Sequence, residues 1–331
     1  MKIQIVGSGS AGMHFLRAAE LIGAKDITVV DNNAAMLDSL QARYLERYKK
    51  PAPLMALTKN IHGADVTIIA TPPDTHLFLA EQADDRSTHI IIEKPICAPG
   101  QFGRLLGMRW RSKVWVNYQY VLHPALAWLK DSLPRIASPI VGHVRWMESS
   151  DFCAKAHPWS PAGWYLFDSK RGGGASSEHS HGLAMWILAL ASSTRGSLQS
   201  TWHKMAKDDY DTFSQFMLAV TDASGHVPLV GSVCQDFLAR EPVKDMTFSC
   251  EEVTAYVNFI TQAAAVYFAD GTSKHESFNV TREEEFTLLL KHIQTADYDE
   301  SPLALHNVLP VQEVLSSHSL GSEQDEPQRV H

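Results

Sequence analysis

Three glycines near the N-terminus limit what this chain can fold into more than any other feature. Gly7-Ser8-Gly9-Ser10-Ala11-Gly12 fits the spacing G-x-G-x-x-G, directly after an apolar run at residues 3–6 and directly before a helical pattern over about 11–22. In that setting Gly7 permits a tight turn, Gly9 lets the backbone approach a pyrophosphate, and Gly12 lets the helix pack on the strand. The freed amides and the helix dipole then face an anion. The spacing alone is weak, and its place between strand and helix makes it specific.

The surrounding pattern repeats. Residues 27–30, 66–70 and 89–92 read as further buried strands, and 34–48 and 75–82 as helices. Continuous β-branched runs between helices signal a parallel sheet covered on both faces, with right-handed crossovers. Asp31 closes the second strand, about 20 residues past the glycines, where a carboxylate accepts the ribose hydroxyls and repels a 2′-phosphate. Asn32 follows, and no Lys or Arg stands beside it in sequence, so NAD is expected over NADP. A turn or helix-capping role would also suit Asp31. Ala70-Thr71-Pro72-Pro73-Asp74-Thr75-His76 and Glu93-Lys94-Pro95 follow the next strands, at the carboxyl ends where such sheets bind ligands. The expected cofactor contacts are Gly7, Ser8, Gly9, Ser10, Ala11, Gly12, Asp31, Asn32, Thr71, Pro72, His76, Glu93 and Lys94.

The pattern changes after about residue 120. Residues 141–148, 213–221, 227–237, 244–249, 252–260, 263–268 and 274–278 look extended and are joined by short links such as Asp270-Gly271-Thr272. Consecutive strands with tight turns predict a large, mostly antiparallel open sheet. One helix over about 177–190 interrupts the series, and helices over about 281–294 and 305–316 close it. The expected class is α/β: a doubly wound Rossmann domain over 1–120, then an α+β substrate and oligomerisation domain over 121–316. Its last helix, about 303–316, is expected to pack back toward the first domain, and 317–331 to be a flexible tail. With 331 residues, 45% of them hydrophobic, each domain has chain enough for its own core.

A net charge of −8 without a basic block excludes nucleic acid as the expected partner. The longest apolar run is about half what a membrane helix needs, so no membrane role is expected. The N-terminus runs straight into a strand, which reads as a mature cytoplasmic chain. Cys97, Cys153, Cys234 and Cys250 form no Cys-x-x-Cys pair and read as reduced thiols. Glu178, His179, His181 and His203 are a dense set, but the two clustered histidines lie at i and i+2, whereas zinc helices use i and i+4, so no metal is expected.

The glycine fingerprint, the Ala-Thr-Pro-Pro loop and Glu93-Lys94-Pro95, in this order, resemble the Gfo/Idh/MocA oxidoreductases. Asn117-Tyr118-Gln119-Tyr120 with His123-Pro124 is similar to the family's segment after the Rossmann domain. Gly172-Gly173-Gly174 followed by Glu178 and His181 is similar to its Gly-Gly-Gly…Asp…His motif, and Glu285-Phe286 to its C-terminal part. His157-Pro158-Trp159, Ser180-His181 and residues 236–243 look like a branch associated with acidic-sugar and cell-surface polysaccharide pathways. The resemblance implies Lys94, an acidic residue and a histidine around a substrate carbinol, and a homodimer or homotetramer formed through the C-terminal sheet.

On that reading His181 accepts the hydroxyl proton and Lys94 holds the oxyanion or shares the proton. Glu178, three residues before His181 on one helix face, binds a substrate hydroxyl or orients either group. Tyr118, His123, His157, Trp159, Trp164 and Tyr165 are the expected sugar-facing residues. The chain departs from the family pattern at Glu178, where Asp is commoner, and from the branch at Val121 and Gly182, where charged residues are usual. The implied reaction is NAD-dependent oxidation or reduction at a CH–OH group of a sugar, aminosugar or cyclitol, nucleotide-linked ones included. A transient redox cycle with tightly bound NAD serving epimerisation, elimination or glycoside cleavage, an imine or dicarbonyl reductase, and a non-catalytic dinucleotide-binding regulator are the alternatives.

Overall fold

The computed structural model describes residues 1–58, 61–133, 139–156, 165–191, 196–207, 209–318 and 328–330. They form two compact units: Met1–Gln119 with Thr281–Asn307, and Tyr120–Val280 with Val308–His331.

The first unit opens with β1 (Lys2–Val6), α1 (Ser10–Leu21), β2 (Asp26–Asp31), α2 (Ala34–Tyr48), β3 (Leu54–Leu57), β4 (Ala64–Ile69), α3 (Pro73–Asp84), β5 (Ser87–Ile92), α4 (Phe102–Gly107) and β6 (Lys113–Val116). All six strands are parallel, in the order β3-β2-β1-β4-β5-β6. The order reverses direction between β1 and β4, the place where doubly wound sheets open a crevice for ligands. Ile3, Ile5, Ile68, Ile90, Ile91 and Ile92 are fully buried, as strands covered on both faces must be. The sequence pattern shows neither β3 nor β6, each only four residues long, too short for periodicity to register.

The second unit holds α5 (Pro124–Ser132), β7 (Ile140–Met147), α6 (Ser150–Ala156), α7 (Ala175–Glu178), α8 (His181–Ala184), β8 (Ser197–Lys207), β9 (Tyr210–Thr221), β10 (Leu229–Asp236), β11 (Val243–Ser249), β12 (Val253–Asn258), β13 (Ala263–Phe268) and β14 (Ser273–Ser277). With β15 (Gln328–Val330) they make a nine-stranded sheet in the order β14-β13-β12-β11-β7-β10-β9-β8-β15. Every pairing is antiparallel except β7 with β10, which run parallel from Ile140 opposite Leu229 to Met147 opposite Asp236. Along β7, Val144 and Trp146 are buried while Val141 and Arg145 face outward, the alternation of a sheet packed on one side. On the packed side, a π-helical turn at Met185–Leu190 sends Trp186 Nε1 to donate to the Gly142 carbonyl at 2.9 Å.

The chain then returns to the first unit through α9 (Arg282–Thr295). A capping box starts this helix: Thr281 Oγ1 accepts from Glu284 N, and Glu284 Oε2 accepts from Thr281 N at 2.7 Å. Phe286 meets Phe15 of α1 edge-on at 4.7 Å and stacks on His14 at 5.3 Å; burying each phenyl contributes about 2 kcal/mol. Tyr298 lies edge-on to Trp115 at 5.0 Å and its hydroxyl donates to the Val114 carbonyl at 2.9 Å. Leu303 O accepts from Val116 N at 2.9 Å. A single cut at residue 120 therefore misplaces residues 281–307: apolar contacts draw them back to the first unit. The boundary falls inside α10 (Leu305–Ser317). The expected tail from 317 is likewise incomplete, since Gln328–Val330 pair with β8.

Candidate active site

A row of backbone hydrogen bonds aligns the loops at the carboxyl ends of the first unit's strands. Gly7 N donates to Val30 O at 2.9 Å, Ala70 N to Val6 O at 2.8 Å, Glu93 N to Ile69 O at 3.0 Å and Asn117 N to Ile92 O at 2.8 Å. Each loop leaves its strand from a residue pinned to the strand beside it.

The glycine loop is shaped by what surrounds it. Gly7 has φ +104° and a Cβ there would lie 2.4 Å from Ala70 O; a Cβ on Gly12 would lie 2.1 Å from Gly7 O. Gly9 differs, because a Cβ there would meet nothing within 4 Å. Open space thus faces Gly9, at the start of a twelve-residue helix that has no side-chain cap and no acidic residue in its first turn. Asp31 binds the same loop: its Oδ2 accepts from Ser8 N at 2.9 Å and Ser8 Oγ at 2.6 Å, and its Oδ1 accepts from Asn33 N at 3.0 Å. Asn33, not Asp31, caps α2, through its side chain and Ala35 N. Asn32 is exposed.

The next two loops are joined by His76, which is fully buried. Its Nε2 lies 2.7 Å from Thr71 O, and its Nδ1 lies 3.0 Å from Pro95 O and 3.3 Å from Ile96 O. Burial holds this imidazole below its ordinary pKa, with the three carbonyl oxygens working the other way. Thr71 Oγ1 and Thr75 Oγ1 are 2.7 Å apart, and Thr75 Oγ1 donates to Pro72 O at 2.8 Å. Glu93 is buried; its Oε1 accepts from Asn117 Nδ2 at 2.5 Å and its Oε2 from Lys94 N at 3.2 Å. Burial raises the Glu93 pKa, and Asn117 and Lys94 oppose the rise. Across residues 90–98 every side chain is buried except Lys94. Lys94 is thus the one partly exposed residue of this strand end. The Lys94–Pro95 peptide is cis.

In the second unit the three-glycine turn leads into the histidine segment. Asp211 accepts from Ser176 N at 2.8 Å and Ser176 Oγ at 3.1 Å, anchoring the first turn after Gly174. Burial pushes the Asp211 carboxyl up to about 6, against the pull of Ser176. Glu178 accepts from Tyr165 Oη at 3.3 Å. His181 is buried, edge-on to Tyr120 at 4.9 Å and tilted on Trp146 at 5.6 Å. Glu178 and His181 were expected on one continuous helix, which the structure corrects. The helix breaks at His179 and Ser180, between α7 and α8. Gln235 Nε2 donates to His179 O, engaging a carbonyl that a continuous helix would use four residues on.

Comparison with known proteins places this geometry. Residues 1–108 match an oxidoreductase family with an NAD-binding Rossmann fold, Gfo/Idh/MocA. No curated protein matches the chain. Among solved structures, levoglucosan dehydrogenase in complex with NADH and levoglucosan is similar at 16% identity and TM-score 0.77, covering 100% of this chain and 99% of the other. UDP-N-acetylglucosamine 3-dehydrogenase GnnA from Acidithiobacillus ferrooxidans is similar at 15% identity and TM-score 0.69, covering 95% of each. An NAD-binding oxidoreductase from Klebsiella pneumoniae is similar at 17% identity and TM-score 0.74, covering 100% and 99%. At these identities the likeness is one of fold.

The family matched by residues 1–108 has an NAD-binding Rossmann fold, and the glycine loop suits NAD. The space at Gly9 and the uncapped start of α1 would receive the diphosphate, with Asp31 bordering them through Ser8. Several expected contacts take other roles in the structure. His76 and Glu93, expected on the cofactor, are buried and spent on neighbouring loops. Tyr118, expected on the sugar, is fully buried in the first unit. His123, expected there too, is buried and caps α5 by accepting from Ala125 N at 3.2 Å; burial pushes its imidazole down to about 4. His157, Trp159 and Trp164 lie outside the described residues. Lys94 belongs to the first unit and Glu178 and His181 to the second. Sequence reading missed Arg43 and Asp211. Arg43 Nη2 donates to Ser8 O at 2.8 Å, and its signal was an arginine amid the buried Leu37, Leu40 and Tyr44 of α2. Asp211 gave no signal beyond its place on β9.

Proposed function

We propose that this NAD-dependent oxidoreductase acts on a secondary alcohol or ketone of a sugar, aminosugar or cyclitol, nucleotide-linked ones included. The observation that carries the reading is Lys94: the one partly exposed residue in an otherwise buried nine-residue stretch, at a strand end of the NAD-binding Rossmann fold matched by residues 1–108. NAD, when bound, exchanges a hydride with the substrate carbon. Hydride loss requires the hydroxyl to give up its proton. The His181 imidazole takes that proton, and the Lys94 ammonium holds the charge developing on oxygen. Glu178, tied to Tyr165, binds a neighbouring substrate hydroxyl or orients His181. The similar solved structures include a levoglucosan dehydrogenase and a UDP-N-acetylglucosamine 3-dehydrogenase, which supports this substrate class.

Lys94→Ala and His181→Ala should each lower kcat by about 10²-fold or more while NADH still binds. Turnover of levoglucosan, UDP-N-acetylglucosamine and myo-inositol, with NADH fluorescence titration, checks this. Full activity in both variants overturns the assignment.

We also propose a cytoplasmic homodimer or homotetramer. The free cysteines suit a reducing compartment. Val141, Met217, Val230 and Tyr267 on the sheet are 39–49% exposed, an apolar set suited to a second copy. No helix among the described residues is long and apolar enough to cross a membrane. A monomer in sedimentation analysis at micromolar concentration refutes the assembly.

A further inference from the structure

Ser8 is held from both sides by opposite charges. Asp31 accepts from its N–H and hydroxyl, at 2.9 and 2.6 Å. Arg43 reaches its carbonyl from α2, with Nη2 donating at 2.8 Å. The same guanidinium is steadied by Nε donating to Ser39 O at 3.2 Å, with Nη1 3.9 Å from Met13 Sδ. The carboxylate and the guanidinium are therefore separated by one residue of backbone. Arg43 is half-buried, and burial pushes its pKa down to about 10, which leaves it cationic at neutral pH.

This juxtaposition bears on which dinucleotide the site accepts. A carboxylate at the end of the second strand of such a sheet favours a ribose with a free 2′-hydroxyl, and a nearby arginine accommodates a 2′-phosphate. No Lys or Arg adjoins Asp31 in sequence, yet the fold places a guanidinium on the Ser8 carbonyl, with the Nε hydrogen and one Nη2 hydrogen already donated to the protein. Guanidinium and phosphate pair by charge-assisted, bidentate hydrogen bonds.

We propose that Arg43 is a latent specificity residue for the adenosine 2′-phosphate, so that Asp31 alone sets the preference for NAD, and that removing its charge opens the site to NADP through Arg43. The inference rests on the NAD-binding reading of the glycine loop and needs no assumption about the sugar substrate.

Four full-length proteins test it: wild type, Asp31→Ser, Arg43→Met and the double variant, each titrated with NADH and NADPH by fluorescence. Wild type should bind NADH more tightly. Asp31→Ser should bind NADPH about 10-fold or more tighter than wild type does, and the double variant should lose that gain. The gain should shrink as salt rises, since it rests on a charge pair. A gain that survives Arg43→Met, or no gain at all in Asp31→Ser, overturns the proposal. Asp31→Asn, which keeps an acceptor for Ser8, carries the same test if the serine variant unfolds. Failure of wild type to bind either dinucleotide would instead sink the cofactor reading itself.

Discussion

Each unit presents a glycine turn that leads into a short stretch bearing candidate chemistry, and each turn is anchored by an aspartate on a serine. Asp31 takes the N–H and hydroxyl of Ser8; Asp211 takes the N–H and hydroxyl of Ser176. Their settings differ. Asp31 is partly exposed beside the open space at Gly9, whereas Asp211 is 3% exposed and packed against Gly174. The same side-chain pairing stays partly exposed in one place and is buried as internal scaffolding in the other. Hydrogen-bond geometry alone would not distinguish them; burial does.

The largest way to break this contrast is at the glycines. Gly174 has φ +97°, and a Cβ there would sit 2.2 Å from Asp211 Oδ1. Gly174→Val should cost about 3 kcal/mol or more in stability, read by thermal or urea unfolding. Gly9→Ala should leave stability nearly unchanged, since φ is −70° and the space is open. It should weaken NADH binding by about 10-fold or more, because the methyl occupies the ligand's approach.

A smaller effect sharpens it. The Asp211 carboxyl titrates near 6 in the folded chain, against 3.8 for an unperturbed one. Between those values the folded state holds more protons than the unfolded state, so this group makes stability fall as pH rises from about 4 to about 6. Asp211→Asn should remove that component, about 2 kcal/mol across the interval, in urea unfolding at several pH values. Buried His123, pushed down to about 4, slopes the other way: its folded form resists protonation, and stability is lost as pH falls below about 6.5. The difference between wild type and Asp211→Asn isolates the aspartate.

The parallel unit was legible almost strand by strand. Its buried runs are continuous and its loops are marked by Gly, Pro and Asp, so local pattern and final position agree. The two short strands β3 and β6 escaped because four residues carry no period. The second sheet was legible as a series of strands, but not β8, eleven residues that are largely polar and exposed and show no apolar alternation, nor the parallel pairing of β7 with β10, which local sequence does not encode. At the site, pattern marked Lys94, Asp31 and the glycines by their backbone positions at strand ends and turns. It expected ligand contacts from His76, His123, Tyr118 and Glu93, which the structure buries, because a polar side chain in a loop looks alike whether it meets a ligand or a neighbouring carbonyl. It missed Arg43 and Asp211, whose partners lie 35 residues away in sequence.

The return of Thr281–Asn307 to the first unit sets a timetable for synthesis. The aromatic partner of Trp115 and the backbone acceptor for Val116 are translated only after all of Tyr120–Val280. At roughly 5–20 residues per second the nascent dinucleotide module waits about ten to thirty seconds for its last pieces. A ribosome-bound chain halted before residue 281 should therefore carry an unfinished module with Phe15 and Trp115 uncovered, a target for holdase chaperones during that interval.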